Sequence, residues 1–287
     1  MDPRFPPELE REIFEHAALL YPKTIPGLLL VARRVFHWIH PFLYRTIMIK
    51  TGSPSLSAFM RATRSMPDSS SFFRSSIQNL FVHPCPWLAS DVRLILESCT
   101  GITNFAMMST DPSVLPLLEN KRLQRMSISL AQLFGNGAIL GNLMHPVFAH
   151  TTHLTLFDYL YNQKTWSTFA FLPALTHLCL FSFVQRAQLR TVLAKCKRLQ
   201  VLVNIHINTE PEWGLADLCA GLALGDDPRL VLLPFDSSVH AYGRDWDAGL
   251  RGEKDFWVVA EAFIRKKRRG EIKPASRCWI CEHDGIY

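Results

Sequence analysis

At 287 residues, with 48% hydrophobic and 20% charged residues, the chain has enough apolar material for one large domain or two smaller ones. That composition excludes a disordered chain, and no apolar run approaches the roughly 20 residues that cross a bilayer. Much of the net charge of +6 sits in Arg265-Lys266-Lys267-Arg268-Arg269, which leaves the remainder nearly neutral and excludes a chain-wide polyanion-binding surface. Seven cysteines, scattered and odd in number, argue against a disulfide framework and for a reducing compartment, cytoplasmic or nuclear. The first residues carry no basic segment followed by a long apolar one, so no signal peptide is expected, and no Asn-x-Ser/Thr acceptor is present.

The first element predicted is a helix over Glu8 to Tyr21, with Leu9, Ile13, Ala17 and Leu20 on one face and Phe14 and Ala18 widening it. Pro6 and Pro7 stand at its first turn, and Glu8, Glu10 and Glu12 suit the positive end of its dipole. Pro22 stops it. Thr24 then caps a second helix, with Pro26 in its first turn, running through Leu28, Leu29, Ala32 and Val35. A third, short helix around His37 to Phe42 is interrupted by Pro41, and Tyr44 to Lys50 reads as a strand. A helical unit this small carries more apolar surface than it can enclose, which suits a unit covered by a partner.

The order of residues in this unit resembles the F-box, the helical module that docks substrate-recognition subunits onto the adaptor of cullin-RING ubiquitin ligases. Phe5-Pro6 stands where the family usually has Leu-Pro, followed by Glu8-Leu9 and Ile13-Phe14. Val31-Ala32-Arg33-Arg34-Val35 matches its Val-small-basic-basic-Trp string, and Pro41-Phe42-Leu43-Tyr44-Arg45 its closing segment. The departures are Phe5 for leucine and Val35 for tryptophan, with Trp38 one turn later. The pattern is closest to F-box-like N-termini abundant in mushroom-forming fungi and covers about one sixth of the chain. The resemblance implies that Phe5, Pro6, Leu9, Ile13, Val31 and Val35 bind the ligase adaptor, helix into groove.

After a Ser-rich stretch from Ser65 to Ser76, read as a hinge, a unit recurs: apolar, two variable, apolar, one variable, apolar. Its copies start at Ile77, Ile102, Leu123, Thr151, Leu175, Leu199 and Leu230, at spacings of 21 to 31 residues, mostly inside the roughly 20–29 residues of leucine-rich repeats. Helical patterns such as Val92-Leu94-Ile95-Leu96 precede most of them, and Lys121-Arg122-Leu123-Gln124 recurs as Lys197-Arg198-Leu199-Gln200. No single unit can bury its own apolar face, so neighbours stack. The fold class expected is α/β: a short N-terminal F-box-like helical module, then an irregular leucine-rich-repeat solenoid with parallel strands inside and helices outside. An apolar helix over Phe256 to Ile264 would cap its open end. The domains expected are 1–50, a linker helix and Ser-rich loop over 51–76, repeats over 77–250, and the capping helix and basic tail over 251–287.

On the concave side of such an arc the sequence places Asn79, Asn104, Arg125, His153, Thr155 and His177, together with Cys179, Val201 and Val203. The first six are the expected contacts to a target protein. Cys278-Trp279-Ile280-Cys281 with His283 has half the spacing of a zinc site and lacks a second pair, so unpaired tail cysteines are expected. Gly135-Asn136-Gly137-Ala138-Ile139-Leu140-Gly141 departs from the dinucleotide fingerprint and reads as a turn. The pairs Asp226/Asp227 and Asp245/Asp247, and the histidines around His145, His150, His153 and His177, form no catalytic constellation. Nucleophile elbow, phosphate loop and metalloprotease helix are all missing. The expectation is a non-enzymatic adaptor with no cofactor, no metal and no membrane partner. The alternative is a nuclear or nucleic-acid-associated protein using the basic run at Arg265 to Arg269, which otherwise reads as a solvated helix end complementing the macrodipole.

Overall fold

The computed structural model describes residues 5–49, 57, 59, 61, 72, 75–83, 89–109, 111–135, 142–158, 163–181, 184–206, 227–236 and 238–286. Helix α1 (Pro7–Leu20) starts on Pro7 with Glu8 and Glu10 in its first turn, where the missing proline N–H costs nothing and acids meet the dipole. The expected second helix divides into α2 (Ile25–Leu28) and α3 (Arg33–Ile39), because Ala32 is fully extended between them. Pro41 then converts the chain to a 3-10 turn over His40–Tyr44, in place of a third helix. Ala18, Ile25, Val35 and Ile39 form the centre of this N-terminal module, with Phe14, Leu28, Leu29 and Trp38 packed around them. A two-pronged ion pair from Arg34 to Glu10, at 2.7 and 2.9 Å, ties α3 to α1.

Eight strands follow: β1 (Thr46–Ile49), β2 (Asn79–Val82), β3 (Asn104–Met107), β4 (Arg125–Ile128), β5 (His153–Leu156), β6 (His177–Leu180), β7 (Val201–His206) and β8 (Leu230–Pro234). They form one all-parallel sheet in sequential order, as a solenoid-like α/β stack requires. Helices α4 (Ala89–Ser98), α5 (Leu115–Leu118), α6 (Leu130–Phe134), α7 (Gln163–Thr168) and α8 (Arg186–Lys195) lie in the connections. One continuous core joins strand residues such as Ile49, Leu80, Phe105, Met126, Leu154, Leu178 and Leu202 to helix residues such as Val92, Ile95, Leu133, Leu189 and Val192. Two cations satisfy helix C-termini within this layer. Lys121 Nζ donates to the carbonyls of Leu96 and Cys99 at the end of α4, and Arg229 to those of Leu193 and Cys196 at the end of α8.

Two expectations of register need correction. Thr46 pairs with Asn79, so Tyr44, Ile47 and Ile49 repeat the spacing of Ile77, Leu80 and Val82. The segment expected to close the N-terminal module is therefore the first strand of the sheet, and the boundary at residue 50 falls within one continuous ladder. At the other end Leu230 pairs with Leu202, the fourth position of its unit, so the last unit begins at 227 rather than 230. Asp227 occupies the usual apolar position and is held by Arg229 at 2.7 Å, which hid the true spacing. Thr151 fills the same position in another unit, buried, with its hydroxyl on the Leu123 carbonyl. The hinge at Ser65 to Ser76 lies almost wholly outside the described residues, as do Lys50, Asp226 and the glycine turn beyond Gly135.

The largest departure concerns the C-terminal quarter. Helices α9 (Val239–Leu250) and α10 (Phe256–Arg268) do not cap the open end of the stack; they lie across the other face of the sheet. Tyr242, Trp246, Phe256, Trp257, Ala260 and Phe263 form a second core with Phe81, Ala106, Cys179, Val203 and Val231. The end of the stack is closed by the tail instead: Leu232 N donates to the Cys278 carbonyl at 2.6 Å, and Leu232 and Trp279 form a parallel bridge. Gly249 makes the corner between the two helices possible, since a Cβ there would lie 2.0 Å from Asp255 Oδ2. Cys278 also departs from expectation: it is buried and disulfide-bonded, to a partner outside the described residues, and not an unpaired tail cysteine. Among the described residues no helix is long and apolar enough to cross a membrane.

Candidate partner-binding surfaces

The sheet register aligns Thr46, Asn79, Asn104, Arg125, His153, His177 and Val201 in one row across the strands. Side chains of a parallel ladder stack one above the next, so the polar members of this row bond along it. Asn79 Nδ2 donates to Thr46 Oγ1 at 2.9 Å, and Asn104 Nδ2 to Asn79 Oδ1 at 2.7 Å. The imidazoles of His153 and His177 stack with centroids 4.0 Å apart, and both meet the indole of Trp257 edge-on.

All six residues expected to contact a target are engaged within the chain. Arg125 Nη1 reaches Asp255 Oδ2 at 3.3 Å, and His177 Nε2 is hydrogen-bonded to Glu261 Oε1 at 3.0 Å, so both anchor α10. Thr155 is buried beneath the two helices, as is Asn79 within its side-chain ladder, and His153 is half-buried against Trp257. Asn104 is half-buried in the same ladder. The face expected to receive a target is thus covered by the chain itself: its second row (Met48, Phe81, Ala106, Ser127, Thr155, Cys179, Val203, Val231) is apolar at six of eight positions and demands cover, and Ser127 accepts from the Tyr242 hydroxyl at 2.7 Å.

Burial sets the protonation of this interface. It pushes His153 down to about 2, with the neighbouring His177 and Arg125 adding repulsion, and lowers His177 against the opposing pull of Glu261. Asp245 is pushed up to about 7 by burial and then by the charge of Asp255, although its Oδ1 accepts from Phe256 N at 3.0 Å. The cavity between Asp245, Trp246 and Arg125 is only about 10 Å³, room for one water and no substrate.

The N-terminal module behaves in the opposite way. Phe5 is 56% exposed, Leu9 50%, Ile13 55% and Val31 58%, and Pro6 is exposed beside them. Nine of the thirteen large exposed hydrophobic residues among the described residues lie between Phe5 and Leu43. The apolar stripe of α1 divides: Phe14 and Ala18 turn inward, while Leu9, Ile13 and Leu20 face out. No family model matches the chain, and no curated protein is significantly similar to it in sequence.

Val35 is the exception among the six expected adaptor contacts. It is 0% exposed at the centre of the module core and is unavailable to a partner. Sequence reasoning missed Tyr21, Leu30 and Phe36 as exposed apolar residues of the same module. Tyr21 follows α1 directly, and Leu30 lies in the break between α2 and α3.

The basic run is engaged within the molecule. Arg265 faces Glu261 at 3.4 Å, Lys266 and Lys267 donate to the carbonyls of Asp284 and Arg277, and Arg269 faces Glu271 at 3.8 Å. These contacts hold the tail, where Arg277 and Asp284 form a buried ion pair. Cys281 accepts from Arg277, and among the described residues no cluster of three His, Cys, Asp or Glu side chains has metal-binding geometry.

Proposed function

We propose that this chain is a non-enzymatic adaptor: an F-box-like protein with irregular leucine-rich repeats that recruits targets to a cullin-RING ubiquitin ligase. The observation that carries the reading is the concentration of exposed apolar side chains on the N-terminal module, at Phe5, Leu9, Ile13 and Val31, whereas among the large hydrophobics described elsewhere only Leu94, Met144, Phe171 and Val258 are exposed, each on a different segment. Those are four of the positions at which the F-box resemblance implies adaptor contact. Anchors at the centre of such a helix-in-groove interface each carry about 2 kcal/mol or more of binding. Catalysis belongs to the partner subunits, and this chain supplies proximity.

The target contacts proposed at Asn79, Asn104, Arg125, His153, Thr155 and His177 do not survive as an open surface, because α9 and α10 occupy that face. Target recognition accordingly falls to the outer surfaces of the stack and of α9–α10. The nucleic-acid reading loses ground too, since four of the five cations in the basic run have internal partners.

The test is co-purification with the ligase adaptor. Leu9→Asp and Ile13→Asp should each abolish it while leaving the thermal unfolding of the chain unchanged, because both side chains stand outside the module core. Retained adaptor binding in either variant overturns the assignment.

A further inference from the structure

A cleft of about 150 Å³ opens where the N-terminal module meets the start of the sheet and the end of α9. Leu19, Ile25, Phe42 and Leu250 give it an apolar wall. Arg45 supplies a cation, and its environment is unusual. Its Nε is buried and makes no hydrogen bond, and among the described residues it has no carboxylate partner. The guanidinium lies over the Phe42 ring at 5.8 Å, and burial lowers its pKa with nothing to compensate.

The other polar groups of the cleft are already engaged. Asp247 is held by Arg251, which also takes Glu253 at 3.0 Å. Asn79 and Thr46 bond to each other. One half-buried arginine is therefore left without an anion beside an apolar wall, an arrangement that costs free energy unless something supplies the charge.

We propose that this cleft binds a small organic monocarboxylate, its carboxylate paired with Arg45 and its short apolar or aromatic body against Leu19, Ile25, Phe42 and Leu250. Three features select that class. The planar guanidinium fork matches a carboxylate, the volume matches a single six-membered ring, and the apolar wall of Leu19, Ile25, Phe42 and Leu250 offers an inorganic phosphate no partner. The inference is independent of the adaptor reading, since Phe5, Leu9 and Ile13 are not among the residues that line the cleft.

The experiment is calorimetric titration of the full chain with benzoate, benzamide and inorganic phosphate. Benzoate should saturate with a dissociation constant on the order of 1 mM. Benzamide, which keeps the ring and loses the charge, should bind about tenfold more weakly or not at all. Phosphate should not displace benzoate. Arg45→Gln should erase the preference for acid over amide without lowering the unfolding temperature, because it removes an unpaired, half-buried charge. Leu250→Trp, which fills the cleft and spares Arg45, should exclude benzoate as well, and Arg45→Lys should keep part of the binding. Equal binding of acid and amide, failure of benzoate to saturate by about 10 mM, displacement by phosphate, or unchanged affinity in Arg45→Gln overturns the proposal.

Discussion

The N-terminal module and the α9–α10 pair are both helical, both rich in large apolar residues, and both attached to the same sheet, yet they treat those residues in opposite ways. The α9–α10 pair buries Tyr242, Trp246, Phe256, Trp257 and Phe263 against the second row of the sheet, and among the large hydrophobics of the pair whose side chains are described Val258 alone is notably exposed. The module keeps only a four-residue centre and turns Leu9, Ile13, Leu20 and Leu30 to the outside. A chain able to cover one face of an eight-stranded sheet with its own helices has no general shortage of cover. Exposed apolar residues are therefore informative on the module, where a partner is the natural complement, and uninformative when scattered singly elsewhere.

The sharpest way to break this contrast is truncation. Phe263→Ala or Tyr242→Ala should cost about 3–5 kcal/mol in urea unfolding, since each leaves a cavity between helix and sheet. Leu9→Ala and Ile13→Ala should stay within about 0.5 kcal/mol. If the four substitutions cost the same, the two regions are not different in kind. Next in size is Gly249→Ala, expected to lose about 1–3 kcal/mol because its new methyl meets the Asp255 carboxylate. A neutral result there would mean that the α9–α10 corner relaxes freely.

Protonation gives a finer test of the buried face. The unfolded chain takes up a proton at His153 near its ordinary value of 6.5, while the folded chain resists until about 2. Stability from this residue is full above pH 6.5 and falls as the pH drops below it. Asp245 runs the other way: the folded chain holds its proton up to about 7 and the unfolded chain releases it near 3.8, so stability falls as the pH rises between them. Each contributes at most about 1.4 kcal/mol per pH unit, and from about pH 4 to 6.5 the two nearly cancel. His153→Asn should therefore leave a protein that gains stability as the pH falls from 7 to 4, and Asp245→Asn one that loses it. Flat profiles in both variants would place these groups outside the covered interface.

Much of the ladder was legible from sequence because its signal is periodic. Six of the seven expected units coincide with strands in the expected register, each strand beginning two residues after the unit start. The seventh slipped by three residues because Asp227 replaced an apolar side chain and Leu230 offered itself instead. The covered face of the sheet was also written in the sequence, though differently. A sheet open on one face alternates, whereas Leu199 to Ile205 and Leu230 to Leu233 run apolar almost without interruption, as strands buried on both faces do. Reading those runs as repeat units alone obscured the second core. Val35 was misjudged for a simpler reason: a resemblance assigns positions in a string, and only the break at Ala32 decides which of them turn inward.

One feature of the ladder has a mechanical meaning. Because β1 continues directly from the 3-10 turn of the module and pairs residue for residue with β2, the module is spliced into the sheet rather than tethered to it. A partner seated on α1 would stand at a fixed angle to the whole stack, its reach set by geometry and not averaged over the sweep of a flexible linker. In the adaptor role proposed above, such a joint works as a bracket: any lengthening inserted at Arg45 would turn a set square into a hinge.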